Sequence, residues 1–364
     1  MNRLRDLRAL LCVLAIGLAF GMAGCAPPVE DVSVRPYGSS SASSTAAPIC
    51  TGTPSTTLVY VGPSGSDNNC GTSATPYATI GTALTAATGA NAVIMVTAGT
   101  YSAASGETFP ISVPANVTLQ GVGTPTITGV GRPASGPAFQ LVDPAQGGTA
   151  YSEAVLVAGQ GATITGLNIV GTGPTTSGDQ TDMILIAYPV TGVTVSNNTL
   201  SGPSSIGILE ASAGSNTYSG NIINTGTNAG FFSSCNSLLT VSTACPPGLT
   251  TGDIFENNTF NSTNSGVDLA STSTTTPATY DFGGGTTGST GGNIFCGYTA
   301  SVGRGMYIGL SDGQVWADAN TWVLASGNAP VTSIATAAHV DIDNQNGTST
   351  LNPITTASTV TSCP

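Results

Sequence analysis

Five times along the middle of the chain an asparagine stands at the entrance to a short apolar stretch: Gly166-Leu167-Asn168-Ile169, Asn197-Asn198-Thr199-Leu200, Gly220-Asn221-Ile222-Ile223, Asn257-Asn258-Thr259-Phe260 and Gly292-Asn293-Ile294-Phe295. The asparagines follow one another at intervals of 30, 23, 37 and 35 residues. A unit of that size cannot bury an apolar face alone, so it must stack on its neighbours, with the uneven spacing taken up by insertions. Asparagines at equivalent places in a stack can hydrogen-bond along it, and we read them as structural. The 48 glycines and the 7% of charged residues fit many tight turns rather than a helical bundle.

The stretch from Leu58 to Gly129 shows how such a stack begins. Leu58-Val59-Tyr60-Val61 reads as a strand, and Gly65 to Gly71 as a turn. From Pro76 to Ala87 the spacing predicts a helix, with Ile80, Ala83, Leu84 and Ala87 on one face, Thr75 placed to cap it and Gly89 to end it. Only short strands and turns follow, so one helix leads into a β-solenoid as its lid. The order Tyr60-Val61, Gly65-Ser66-Asp67, Pro76-Tyr77-Ala78-Thr79-Ile80, Ala98-Gly99-Thr100-Tyr101, Gly106-Glu107-Thr108-Phe109-Pro110-Ile111 and Val117-Thr118-Leu119-Gln120-Gly121 resembles the pectate-lyase-like β-helix proteins of a bacterial domain family of unassigned function. Val315-Trp316-Ala317-Asp318-Ala319-Asn320-Thr321-Trp322 is similar to that family's closing rung. The resemblance implies an all-β fold, a single-stranded right-handed parallel β-helix over 58–364, and a life at the cell surface. It implies no reaction. Trp316 and Trp322, near the end of the solenoid, are expected to close its core.

Ahead of this domain lies a targeting segment. Arg3, Arg5 and Arg8 precede an apolar run from Ala9 to Phe20, which is too short to span a bilayer and suits a signal peptide over 1–24. Gly21-Met22-Ala23-Gly24-Cys25 resembles a bacterial lipoprotein box, which implies lipidation of Cys25 and stable membrane attachment through several acyl chains. Ala26 lacks the Asp that often retains lipoproteins on the inner membrane, so by analogy the outer membrane or cell surface is expected. Residues 25–57 are rich in Ser, Thr and Pro and read as a flexible tether. Beyond the signal segment Cys50, Cys70, Cys235, Cys245, Cys296 and Cys363 form an even set in an exported chain. Six cysteines allow fifteen connectivities. We favour Cys50 with Cys70, Cys235 with Cys245 and Cys296 with Cys363, since each pair would staple a terminus or close a loop.

The formal net charge is −12, and outside the signal segment the only cations are Arg35, Arg132 and Arg304. Such a surface repels nucleic acid and anionic membrane, so neither is a direct partner and the membrane is reached through the lipid alone. No cofactor is called for. Asp341-Ile342-Asp343-Asn344-Gln345-Asn346-Gly347 starts like a calcium loop, but Asn346 and Asn352 stand where Gly and a bidentate Glu belong, so weak Ca²⁺ binding is the most it offers. With His339 the only histidine and no Cys-x-x-Cys, a zinc site has no support.

A second series identifies a face. Ala154-Val155-Leu156-Val157, Gly207-Ile208-Leu209-Glu210, Gly230-Phe231-Phe232-Ser233, Gly266-Val267-Asp268-Leu269 and Gly305-Met306-Tyr307-Ile308 align as one strand in successive turns. If Val155, Ile208, Phe231, Val267 and Met306 point inward, alternation sends Leu156, Leu209, Phe232, Asp268 and Tyr307 outward. That column would run about 20 Å at ~4.8 Å per rung. Leu209, Phe232, Asp268 and Tyr307 are therefore ligand-face candidates, with aromatic rings to stack on sugars and a carboxylate to accept from hydroxyls. The alternative is that a long loop covers the column, which then only completes a core.

The reading that follows is a surface protein that binds a glycan or another surface polymer without cleaving it. Polysaccharide lyase or glycoside hydrolase activity on the same scaffold is the alternative, and a passive envelope or adhesion element is a third. For a lyase, Arg304 beside Tyr307 is the candidate base. For a hydrolase, Asp179 and Asp182 are spaced to act as a pair, although Gly-His-Gly and Arg-Ile-Lys signatures are missing.

Overall fold

The computed structural model describes residues 50–364 apart from 51, 133–139, 144–147, 176, 178, 188, 204, 212–213, 227, 234–251, 270–277, 299–302, 310–312, 324–329, 331, 334–339, 346–350 and 360–361. Cys25, Cys235, Cys245 and His339 lie outside the described residues.

Among the described residues the chain winds through three parallel sheets of nine, nine and ten strands. Each coil gives one strand to each sheet, as in Thr194–Ser196, Thr199–Gly202 and Ser205–Ala211. Short Thr-apolar-Thr/Ser strands such as Thr163–Thr165, Thr194–Ser196 and Thr217–Ser219 bury the middle residue and leave the flanking hydroxyls half-exposed, which is the period-two pattern of a strand with one wet face. Val59, Ile94, Leu119, Ile164, Val195, Tyr218 and Phe255 stack rung on rung inside the first sheet. Tyr101, Ile127, Ile169, Leu200, Ile223, Phe260, Phe295 and Trp322 do so inside the second. All of these are buried.

The interior turns aromatic toward the C-terminal end. Phe255 stacks on Phe282 at 4.0 Å between centroids, and Phe295 on Trp322 at 4.2 Å. Trp322 is buried and closes the core as expected, whereas Trp316 is only half-buried.

The asparagine ladder runs at the corner between the first and second sheets. A left-handed residue, such as Gly220 (φ 64°), Asn257 (φ 54°) or Gly292 (φ 76°), turns the chain there, a conformation that Gly and Asn tolerate best. The asparagine after it points along the stack. Asn198 Nδ2 donates to Asn221 Oδ1 (3.2 Å), Asn221 to Asn258 (2.9 Å), Asn258 to Asn293 (2.9 Å) and Asn293 to Asn320 (2.9 Å). Each oxygen also accepts from a backbone N–H of the rung before it. Asn168 is not in the ladder. It pairs with Thr199 rather than Asn198 and donates to Thr126 Oγ1, so Leu167 holds the ladder position and the repeat was one residue out at its first member.

The capping helix spans Ile80–Ala86, four residues shorter at its start than the spacing predicts. Tyr77 is held extended by a parallel bridge to Val61, so Thr79, not Thr75, is the N-cap. Asp67 accepts from the N–H groups of Ala78 and Thr79, and Glu107 from those of Ile80 and Gly81, which satisfies the open donors of the first turn. Disulfides join Cys50 to Cys70 and Cys296 to Cys363. Disulfides point to an oxidising compartment, and no described helix is long and apolar enough to cross a membrane.

Candidate functional site on the third sheet

The third sheet carries the outward column. Leu209, Phe232, Asp268, Tyr307 and Asp343 are consecutive neighbours on the strands Ser205–Ala211, Ala229–Ser233, Ser265–Leu269, Arg304–Ile308 and Val340–Asn344. Ile208, Phe231, Val267, Met306 and Ile342 fill the core beneath them. The first member of the expected column is corrected. Leu156 aligns with Ile184 and Ile208 and lies in the core, while Val157 is the neighbour of Leu185. The slip has a visible cause. In later rungs a glycine precedes the core residue because another backbone passes too close; a Cβ on Gly207 would sit 2.3 Å from the Gly230 carbonyl oxygen. In the two earlier rungs Val155 and Met183 take that place, so Val155 rather than Ala154 is the counterpart of Gly207.

Burial divides the column. Leu185 and Leu209 join Ala154, Ala187 and Ile206 in a second apolar cluster, and Leu209 is 1% exposed. Leu209 is thus packing and not a ligand face. Phe232, Asp268 and Tyr307 remain half-exposed.

Charges gather on that open half. Arg304 Nη1 lies 2.7 Å from Asp343 Oδ2, a contact of charges rather than an aligned hydrogen bond. The guanidinium carbon sits 4.9 Å from the centre of the Tyr307 ring. Gln345 Nε2 donates to Asp343 Oδ1 at 2.6 Å. Among the described residues Asp268 has no such partner, and its Oδ1 is shut off from solvent without a hydrogen bond. Burial raises the Asp268 carboxyl to about 7; Arg304 opposes the rise and Asp343 adds to it. Burial also raises the Tyr307 phenol, helped by Asp268 and Asp343.

The structure therefore brings Arg304, Asp268 and Tyr307 together and adds Asp343, which the sequence reading had placed in a polar loop. The Val340-Asp341-Ile342-Asp343 alternation was the available sign that this segment is a strand. Asp341 is fully buried and its Oδ1 accepts from Tyr298, so the first two carboxylates of the supposed calcium loop are engaged elsewhere. No group of three or more potential ligands is placed to hold a metal among the described residues. Arg304 is held as a paired cation, which suits charge placement and not proton abstraction.

Asp179 and Asp182 do not form an open pair. Asp179 accepts from Arg132 Nε at 2.8 Å, and Arg132 also lies 3.8 Å from Glu153. Asp182 is wholly buried in register between Ala154 and Ile206, accepts from the Ser152 hydroxyl and from Gln180 Nε2 at 3.0 Å, and is raised by burial to about 7. The cleft at the capped end, ≈ 670 Å³, is lined by Asp67 and Glu107 among others, but both carboxylates are spent on the helix.

Three stacked parallel sheets around a buried core, with one strand per sheet in each coil, define a right-handed parallel β-helix, and its open outer column is the candidate binding surface. The family described as protein of unknown function DUF1565 matches residues 63–305, and the chain belongs to it. No curated protein matches. Among solved structures the chain is similar to a rhamnogalacturonan lyase (15% identity, 73% of this chain and 68% of that one, TM-score 0.40). It is also similar to XylC in complex with xylose (10%, 76% and 67%, TM-score 0.41) and to PfbA, a surface adhesin of Streptococcus pneumoniae (11%, 72% and 76%, TM-score 0.31).

Proposed function

We propose that this protein is an exported surface β-helix, lipid-anchored at Cys25 and held away from the membrane by the tether to residue 57, that binds a glycan without cleaving it. The observation that carries the reading is the sequence of outward groups on consecutive rungs: a half-exposed aromatic ring at Phe232, a carboxylate without a hydrogen-bond partner at Asp268, and a second ring at Tyr307. Rungs lie ~4.8 Å apart, so the three span about 10 Å, a footprint for a short oligosaccharide. Rings stack on sugar faces and the carboxylate accepts from hydroxyls, the usual division of labour in a site with few polar anchors. The test is retention of residues 50–364 on immobilised polysaccharides. Phe232→Ala and Tyr307→Ala should each weaken binding about tenfold, or ~1.4 kcal/mol, with the fold retained, although Phe232→Ala also removes packing against the second apolar cluster. Retention that survives both substitutions would remove the proposed face.

A second reading, cleavage of the bound polymer, has one observation in its favour. A carboxylic acid that titrates near neutrality, as Asp268 does, is what a glycosidase's general acid needs, and Asp343 stands two rungs away, about 10 Å along the sheet. New reducing ends or unsaturated products on incubation with a polysaccharide panel would establish it; their absence at high enzyme concentration would leave binding alone.

A further inference from the structure

We infer that the face formed by Phe232, Asp268 and Tyr307 selects an amine-bearing glycan, one whose sugars carry free amino groups, over uronate-containing or fully N-acetylated polymers. This rests on the glycan-binding reading and names its substrate class.

The argument is a count of charges and partners. Four charged or titratable side chains face one another on these rungs: Asp268, Asp343, Arg304 and Tyr307. Arg304 is the only cation among them, and Asp343 holds it at 2.7 Å. A sugar carboxylate arriving here meets no free positive group among the described residues and stands against Asp268. Asp268 in contrast accepts no hydrogen bond among the described residues, and the nearby guanidinium of Arg304 is held by Asp343. An ammonium group supplies what is missing: a charge-assisted hydrogen bond, roughly twice as strong as a neutral one, to a carboxylate in a poorly solvated place where Coulomb attraction is weakly screened. A hydroxyl supplies a donor but no charge, and an N-acetyl group replaces the cation with a bulkier neutral amide. The rings at Phe232 and Tyr307 flank Asp268 on both sides along the sheet, so a sugar ring seated on either one brings its substituents over the carboxylate. The long-range field agrees, since the chain as a whole carries −12.

The experiment compares three oligosaccharides of equal length, built from glucosamine, N-acetylglucosamine and galacturonate. Calorimetry near pH 7.2, just above the value to which burial raises Asp268, is run on the intact mature domain and on its Asp268→Asn variant, at low and moderate salt. The glucosamine oligomer should bind the unmodified protein at least tenfold more tightly than the N-acetylated one, with the galacturonate oligomer weakest. Asp268→Asn should erase that preference, weakening the glucosamine oligomer at least tenfold more than the N-acetylated one. Because the mature chain from Cys25 carries −14, from 3 arginines against 17 acidic residues, and the variant still −13, a preference due only to net charge would persist in it, and that result overturns the inference. Equal affinities for the amine and acetyl forms, or tighter uronate binding, overturn it as well. Binding of the N-acetylated oligomer without an amine preference defeats this inference alone; no binding of any oligomer defeats the glycan reading with it.

Discussion

Asp182 makes the stability of this β-helix depend on pH in an unusual direction. The carboxyl is fully buried between Ala154 and Ile206, and burial raises it from 3.8 to about 7. A group whose folded pKa is raised binds its proton more tightly in the native state, so its contribution is fully present below the unfolded value and is lost as pH rises through the folded one. At ~1.4 kcal/mol per unit, the loss accumulates between about pH 4 and pH 7 and totals about 4 kcal/mol. Glu107 and Asp253 are also raised by burial and act in the same direction. The domain should therefore unfold at lower urea concentration at pH 8.5 than at pH 5. Asp182→Asn keeps the shape and removes the titration. The variant should match the unmodified protein within about 1 kcal/mol near pH 4.5 and exceed it by roughly 3–4 kcal/mol at pH 8.5. Urea titrations across that range, followed by the fluorescence of Trp322 in its aromatic stack, give both numbers. If the two proteins lose stability in parallel as pH rises, or the unmodified protein gains stability, the assignment of Asp182 as a buried neutral acid is wrong.

The ladder and the staples give sharper structural tests. Asn258→Leu leaves the Asn221 backbone N–H without a partner in a buried corner and takes one bond each from the Asn221 amide, the Asn293 oxygen and the Tyr218 carbonyl, while the Asn221 amide keeps the Val195 carbonyl and the Asn293 oxygen keeps the backbone N–H of residue 258. It should cost roughly 2–4 kcal/mol, at 1–3 kcal/mol for the orphaned group and less for each weakened one; a loss under 1 kcal/mol in urea unfolding would show that the ladder does not hold the corner. Cys363→Ser opens a link across 67 residues and Cys50→Ser one across 20, so loop entropy predicts losses of about 4 and about 3 kcal/mol. Equal effects under reducing and oxidising conditions would remove the disulfides from the account.

The β-helix was legible because stacking repeats its own demands. Each coil puts an apolar residue on each of three sheets, and from the coil of Asn198 onward a left-handed residue and an asparagine recur at one corner, so Asn198, Asn221, Asn258 and Asn293 mark that rhythm along the chain. Its exact register was not legible where a rung departs from the motif. Leu167 stands where the ladder expects asparagine, and Val155 stands where later rungs have glycine, so the first member of each series slipped by one residue and sent Leu156 to the wrong side. The capping helix was misplaced for a different reason. Helical spacing does not register the bridge from Tyr77 to Val61, a pairing of residues distant in sequence that keeps the backbone extended up to Thr79. At the site, alternation placed Phe232, Asp268 and Tyr307 correctly beside one another, but it carries no information about what covers a column. Leu209 is therefore indistinguishable from Phe232 in sequence, although one is packed and the other half-exposed.

The position of the open face follows from what lies beneath it. In the early coils the core of the third sheet is aliphatic, with Leu156, Ile184 and Ile208, and the outer column over it is aliphatic too, with Leu185 and Leu209 in a second buried cluster against which half-buried Val157 and Phe232 pack at its two ends. From the coil of Phe231 onward, stacked rings take over the interior: Phe231 meets Tyr218 at 5.1 Å and Phe255 at 4.8 Å edge-on, and the stack continues through Phe282, Phe295 and Trp322. Ring pairs in these geometries add about 0.5–1.5 kcal/mol each beyond burial, and they fix the backbone of the rungs that present Phe232, Asp268 and Tyr307. A binding face needs its side chains held before the ligand arrives, because ordering them on binding would be subtracted from affinity. Among the described residues the aliphatic cluster reaches no further along the column than Phe232, so Asp268, a carboxylate without a hydrogen-bond partner there, is set between two aromatic rungs beyond the cluster's edge.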